Sequence, residues 1–155
     1  MDIDYREATL EDLPEITAIF RDTISTVNRK HYSEEQVEAW AAAADNLKKW
    51  QKRIKATYFL VAENDGQILG FAWLKNGNYL EGMYVHKNYQ RKTVGSKLLR
   101  IIESHVTMYD FESIQAESSL SSLPFFDSHY YEVEKKQKRS IKDQVLDYYI
   151  MYRKL

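Results

Sequence analysis

The sequence predicts an α/β (α+β) domain, a mixed and mostly antiparallel central sheet of about six to seven strands with helices on both faces. Three observations predict it. The apolar residues recur at helical spacing before Thr57 and at strand spacing after it. Two short turns, "NDG" and "NGN", cut the stretch after Thr57 into consecutive strands. Helical spacing then returns after the basic turn, and further strands follow with a second short helix between them.

"IDYREA" alternates as a strand. In "TLEDLPEITAIFRDTISTV", Thr9 is an N-cap with Asp12 three residues on, and Leu13, Ile16, Ile19, Phe20, Ile24 and Val27 keep helical spacing. Ser33 with Gln36 gives a second capping box, opening a helix over "SEEQVEAWAAAA", and a further short helix runs through "NLKKWQKRIKA". "TYFLVAE", "QILGFAWLK" and "YLEGMYVH" form a three-stranded antiparallel meander. The stretch "MYVHKNYQRKTVGSKLLRII" then passes through a basic turn with one glycine into an amphipathic helix, with Val94, Leu98, Ile101, Ile102 and His105 on one face. "FESIQAESS" reads as a strand, and Pro124 stands in the first turn of a helix over "LPFFDSHY". "YEVEKKQKRS" and "QVLDYYIMYRKL" are two strands joined by a charged loop around Arg139 to Asp143. The order is β-α-α-β-β-β-α-β-α-β-β, and with no repeat or linker in it, residues 1–155 are expected to form a single domain.

Composition narrows the function classes. With 44% hydrophobic and 14% aromatic residues the chain can bury a core, which sets disorder aside. Its 22 basic and 23 acidic residues leave a formal charge of −1, so no global field draws it to nucleic acid or to an anionic membrane, and any anion site must be local. Zero cysteines exclude disulfides, thiolate metal sites and a cysteine nucleophile. The acidic, polar N-terminal stretch and the lack of any run of ~20 apolar residues lead to the expectation of a soluble, cytoplasmic protein. His31, His86, His105 and His129 show no metal spacing, so no metal is expected.

The basic turn is the first functional candidate. Gln90-Arg91-Lys92-Thr93-Val94-Gly95-Ser96 follows a strand and precedes a helix, where backbone N–H groups and the helix dipole make an anchor for a pyrophosphate. A lone glycine in such a turn is also what a plain connector would show, with Gly95 easing the helix onto the sheet and Arg91 and Lys92 solvated.

The same residues carry a resemblance. "V-H-K-N-Y-Q-R-K-T-V-G-S-K-L-L" resembles the acetyl-coenzyme A signature of the GNAT superfamily of N-acetyltransferases, a Gln/Arg-x-x-Gly-x-Gly/Ala pattern after a strand ending in hydrophobic-x-Val. Gln90, Val94 and Gly95 match, while Thr93 stands where the first glycine is usual. The element order of almost the whole chain is similar too, and "HYSEEQVEAWA" and "SSLPFFDSHYYEVEK" are similar to segments of small bacterial members.

The resemblance implies a GNAT fold and an acetyl-CoA-dependent N-acetyltransferase. It implies that the backbone of the "GMYV" strand at Met83 and Val85, with Tyr84 between them, bonds the pantetheine arm as a missing strand would. It places Gln90, Arg91, Lys92, Thr93, Val94, Gly95 and Ser96 around the pyrophosphate, with Ser119 and Phe126 also beside the cofactor. A β-branched Thr93 resists the positive φ that glycine takes easily, so a weakened or reshaped loop is expected there.

Amine acetylation needs a base for the ammonium and an acid for the departing thiolate. Carboxylate and tyrosine are the family's usual pair. Glu81 is the candidate base, because alternation puts it on one face with Met83 and Val85; the alternative is a solvent-facing glutamate, with Glu117 in reserve. Phe126 stands where the family's tyrosine is usual and cannot give a proton. Tyr130 is the candidate acid, with Tyr131 and Tyr84 as substitutes, unless the thiolate leaves unaided. Tyr130 also replaces a glycine often found after this helix.

His31, Tyr32, Trp40 and Trp50 either wall an amine pocket or form core, and Glu34, Glu35 and Glu38 either favour a cationic acceptor or are solvated. "EKKQKR", Glu134 to Arg139, reads as a solvated hairpin. The expected reaction moves acetyl from acetyl-CoA to a primary amine by direct attack in a ternary complex. The alternative is a catalytically weak GNAT-fold protein that binds acyl-CoA or regulates. Expected partners are a small-molecule amine or a protein N-terminus or lysine, with no nucleic acid, no membrane and a possible homodimer.

Overall fold

Asp65-Gly66 and Asn76-Gly77 all take positive φ, from 49° to 88°. This geometry matches the right-handed twist of the flanking strands and closes two tight hairpins. A computed structural model describing residues 2–155 builds a seven-stranded sheet around them, in the order β1-β2-β3-β4-β5-β7-β6. The strands are β1 (Asp4–Glu7), β2 (Tyr58–Asn64), β3 (Gln67–Lys75), β4 (Tyr79–Val85), β5 (Ser113–Ser118), β6 (Glu132–Ile141) and β7 (Gln144–Lys154). Every neighbouring pair is antiparallel except β4 and β5. The expected mixed, mostly antiparallel sheet is therefore present.

The helices are α1 (Leu13–Thr26), α2 (Glu34–Ala41), α3 (Leu47–Ala56), α4 (Val94–Met108) and α5 (Leu123–Ser128). Helix α3 stands apart from α2, so three helices precede β2. The Ser33–Gln36 capping box forms as expected: the Gln36 N–H donates to Ser33 Oγ at 3.1 Å and the Ser33 N–H to Gln36 Oε1 at 2.9 Å. One core layer packs α1, α2 and α3 on the face carrying Phe59, Val61, Phe71 and Trp73. The other packs α4 and α5 on the face carrying Leu60, Ala62, Leu69, Ala72 and Leu80. Strands β2 and β3, buried on both faces, accordingly read as near-continuous apolar runs.

Two expectations change. The charged loop expected over Arg139 to Asp143 shrinks to Lys142-Asp143, with Lys142 at φ 55°. Arg139 is thus a strand residue. The apolar stripe of α4 is carried by Val94, Leu98, Leu99, Ile102 and Val106, while His105 turns outward to stack on Tyr58 at 3.6 Å.

An ion-pair clamp fixes the entry to α1. Arg6 donates to both Asp12 oxygens at 2.9 Å and to Glu63 at 2.7 Å, and Asp12 also accepts the Thr9 N–H at 2.8 Å. The Arg6 bond, foremost, holds the Asp12 carboxyl below its ordinary value of 3.8. A depressed folded-state pKa gives stability that is present above the unfolded value and lost as pH falls through the folded one. Asp12→Asn is expected to cost about 1–2 kcal/mol at pH 7 in urea denaturation, and the gap from the parent should narrow as pH is lowered below about 4.

Candidate active site

The parallel contact of β4 with β5 comprises two residue pairs, Tyr79 with Gln115 and Leu80 with Ala116. Beyond Leu80 the strands part. Strand β4 stays bonded to β3 as far as Val85 opposite Gly70, so its other edge is open from Glu81 onward. The His86 N–H bonds the Leu69 carbonyl on the β3 side; strand alternation then turns the backbone groups of Val85 and Met83 to the open edge. The Val85 carbonyl already accepts from Gln90 Nε2 at 2.6 Å and Thr23 Oγ1 at 3.3 Å. Gln90 thereby fastens the following loop to the strand end.

The loop takes left-handed φ at Arg91 (59°) and Thr93 (68°). Thr93 therefore occupies the conformation that glycine would, at a cost of about 1–2 kcal/mol. Lys97 donates to the Thr93 carbonyl, which leaves the N–H groups of Val94, Gly95 and Ser96 without acceptors inside α4. Gly95 serves by close approach and not by its φ: a Cβ there would stand 3.3 Å from the Phe125 ring and 3.5 Å from Val85 Cγ2. His129 joins α5 to this helix start, with Nδ1 2.8 Å from the Phe125 carbonyl and Nε2 3.0 Å from Ser96 Oγ. Nδ1–H donates to the carbonyl, so in the neutral ring Nε2 accepts from the serine.

Between the parted strands lies a cleft of about 740 Å³. It brings together Glu81, Met83, Tyr84, Val85, Gln90, Arg91, Thr93, Gly95, Ser96, Ser119 and Phe126. Lys92 and Val94 are absent from its lining; the Lys92 side chain is exposed and that of Val94 is core. Tyr130 is not brought to the cleft. It sits just past α5 at φ 70°, 79% exposed, its ring 5.7 Å from the Arg153 guanidinium. That placement overturns Tyr130 as the acid. Tyr131 is buried and donates to Glu103 at 2.8 Å, so Tyr84 is the one of the three tyrosines that faces the cleft.

Glu81 reaches the cleft by a route that alternation misses. A bulge sets Trp73 opposite Gly82 and Leu74 opposite Leu80, leaving Glu81 as an extra residue. Its carboxylate consequently lies on the face of Trp73 and Tyr84, whereas Met83 and Val85 pack with the α4 layer. Trp73 Nε1 donates to Glu81 Oε1 at 2.8 Å; Arg53 Nε is 4.0 Å from the same oxygen and Lys75 Nζ 3.6 Å from the other. Arg53 in turn lies over the rings of Trp50 and Trp73, at 4.6 and 4.9 Å.

On the opposite wall, Glu117 is fully engaged. Tyr79 donates its phenol to Oε2 at 2.6 Å, and Arg139 bonds Oε1 at 2.8 Å while lying 4.3 Å from the centre of the Tyr148 ring. Burial pushes both the Tyr79 and Tyr84 phenols up, Tyr79 further through Glu117. The end of α1 straddles the opening, because Thr23 bonds β4 and the adjoining Asn28 donates to Ser119 Oγ at 3.2 Å. Tyr32 is structural, since its hydroxyl donates to the Asp147 carbonyl at 2.8 Å and accepts the Leu120 N–H at 3.0 Å. Trp50 is wholly core, while Trp40 and His31 line the cleft and Glu34, Glu35 and Glu38 are solvated. Arg139 was missed from sequence because it sits in a charge run that looks like solvent-facing surface. The signal available was its strand phase with Ile141.

Over residues 28–144 the sequence matches the profile described as an acetyltransferase (GNAT) domain. The chain belongs to the GNAT acetyltransferase family. It is similar to the uncharacterized N-acetyltransferase YafP of Escherichia coli K12, 26% identical over 82% of this chain and 79% of that one. A GCN5-related N-acetyltransferase structure from Rhodopseudomonas palustris superposes with a TM-score of 0.96 at 30% identity, covering 100% of this chain and 97% of that one. PaiA N-acetyltransferase from Thermoplasma acidophilum, solved with coenzyme A, gives 0.81 at 22% identity over 100% of both chains. The GNAT fold and an acyltransferase activity follow from membership.

Two substitutions test this geometry. A Cβ on Gly82 would stand 2.2 Å from the Trp73 ring, so Gly82→Ala should cost about 2–3 kcal/mol in chemical denaturation and change the tryptophan emission. Thr93→Gly should gain about 0.5–1 kcal/mol, the left-handed strain relieved less the entropy that glycine adds to the unfolded chain. An unchanged denaturation midpoint would show that threonine is unstrained there.

Proposed function

We propose that this GNAT enzyme transfers acetyl from acetyl-CoA to a primary amine by direct attack within a ternary complex. The open edge of β4, facing β5 across the cleft, is the observation that carries the reading: the free N–H groups of Met83 and Val85 and the Met83 carbonyl have the spacing to bond an extended amide-bearing arm. The N–H groups of Val94, Gly95 and Ser96, with the Arg91 side chain at the cleft, suit the doubly charged pyrophosphate at the positive end of α4. Acetyl-CoA, as substrate, supplies the thioester whose carbonyl the amine attacks.

Glu81 is the proposed base. It is the first residue beyond the last β4–β5 pair, at the vertex where an amine from one wall would meet the thioester lying along the other. Its Oε1 is held by the indole N–H, while its Oε2, among the described residues, pairs with the half-exposed Lys75 at 3.6 Å and so retains capacity for a proton, directly or through water. Glu117, with both oxygens committed, serves the wall instead.

For the acid we propose none from the protein. Phe126 has no proton to give, Tyr130 lies outside the cleft, and a thiolate, whose conjugate acid is already fairly weak, leaves as the anion without a partner. The thiolate leaves and takes its proton from water.

Calorimetric titration with acetyl-CoA, followed by thiol release with an amine panel, tests the reading. Saturable micromolar binding and amine-dependent release are expected. No binding at high micromolar ligand overturns the proposal, and binding without release leaves a protein that only holds the coenzyme. Glu81→Gln should lower kcat by about 10²–10⁴ with coenzyme affinity unchanged.

A further inference from the structure

The charges at the end of the cleft away from the α4 loop do not suit a cationic acceptor. Each of its three carboxylates is already paired: Glu81 with Arg53 and Lys75, Glu117 with Arg139, and Asp147 with Lys136 and Lys138. Lys30 adds a further cation to the lining. Of these cations Arg139 and Lys30 line the cleft and the other four pair the carboxylates from outside the lining, so a polyamine entering here would find each carboxylate already neutralised.

Arg139, its side chain 45% exposed, is the cation of the lining that is held from two sides. Its guanidinium is held from one side by Glu117, itself anchored by the Tyr79 phenol, and from another by the Tyr148 ring. One Nη2 bond to Glu117 is its hydrogen bond to the described residues, which leaves other N–H groups of the planar fork for a ligand. A fork already oriented by two partners loses less entropy on pairing with a planar oxyanion than a free one would. The position is equally specific. Glu117 directly follows Ala116, whose partner Leu80 directly precedes Glu81, so the fork lies one carboxylate away from the vertex at which the amine must lose its proton.

From this geometry we infer that the acceptor is a small amino acid, its carboxylate bound by the free edge of Arg139 and its amine presented a few bonds away at Glu81. The inference rests on the acetyl-transfer reading for the reaction and on the Arg139 site alone for the carboxylate.

The test compares amino acids with their own primary amides, such as glycine with glycinamide, β-alanine with β-alaninamide and methionine with methioninamide, by thiol release at saturating acetyl-CoA. The amide's amine is the weaker base, so at pH 8 more of it is neutral, and intrinsic reactivity favours the amide. We expect the acid of at least one pair to be preferred in kcat/KM by about tenfold to hundredfold, the contribution of a charge-assisted bidentate contact. Arg139→Gln should bring that ratio near one, and Arg139→Lys should leave it in between.

Equal or greater turnover of every amide, or an acid preference that survives Arg139→Gln, overturns the inference. The wild-type comparison decides even where the variant fails to fold. Absence of thiol release with every amine sinks the acetyl-transfer reading instead. The carboxylate site is then judged by calorimetric titration of the same pairs into wild-type protein with coenzyme A, where equal affinities of acid and amide overturn it.

Discussion

Tyr79 and Leu80 bind β4 to β5, and past them the two strands share no hydrogen bond. Backbone N–H and C=O groups left without partners are costly when buried, so a sheet can part only where water or a ligand reaches the exposed edge. Much of the molecule serves this one interruption. The bulge at Glu81 bends β4 as the strands separate, Gly82 lets the Trp73 indole lie close enough to hold the displaced carboxylate, and the end of α1 is bonded to both sides of the gap. The loop leading into α4 is then delivered to the far end by Gln90, which grips the carbonyl of Val85.

The two walls of the cleft are stiffened by different physics. On the β4 side aromatic rings do the holding: Trp50, Trp73, Phe59, Phe71 and Tyr84 form a contiguous cluster, and Arg53 lies on two of its members with its charge beside Glu81. Burial pulls the Arg53 pKa down, yet a guanidinium stays protonated at any pH the protein meets. On the β5 to β7 side the holding is polar, through Tyr79, Glu117 and Arg139 and through the paired serines Ser119 and Ser122. The first wall therefore resists changes of shape, and the second resists changes of charge.

Sequence legibility followed the range of the forces involved. Hairpin turns, the capping box at Ser33 and the helical stripe of α4 depend on residues within a few positions of one another, and these were readable. The place of the phosphate-loop candidate between strand and helix was readable for the same reason. The face on which Glu81 lies was not, because a bulge is a decision made jointly by two strands: the extra residue in β4 exists only relative to Trp73 in β3. Arg139 was hidden likewise, since a charge run looks solvated until a hairpin of two turn residues carries one member of it against Glu117, 22 residues earlier in the chain. Tyr130 shows the opposite failure. Phe125 and Phe126 in the preceding helix line the cleft, but Tyr130, itself left-handed just past α5, turns to solvent.

The interruption between β4 and β5 also divides the order in which the chain can assemble. Strands β2 to β4 are joined by short hairpins, as are β6 and β7, so each set closes small loops that form quickly. The seam between the two sets needs the long crossover through α4 and gains only two strand pairs when it closes. It is thus the seam with the fewest paired residues in the sheet, two half-sheets hinged on a helix. A molecule lodged in the gap and bonded to both halves acts as a reversible strut across that hinge, so occupancy stiffens the whole sheet and not the cleft alone.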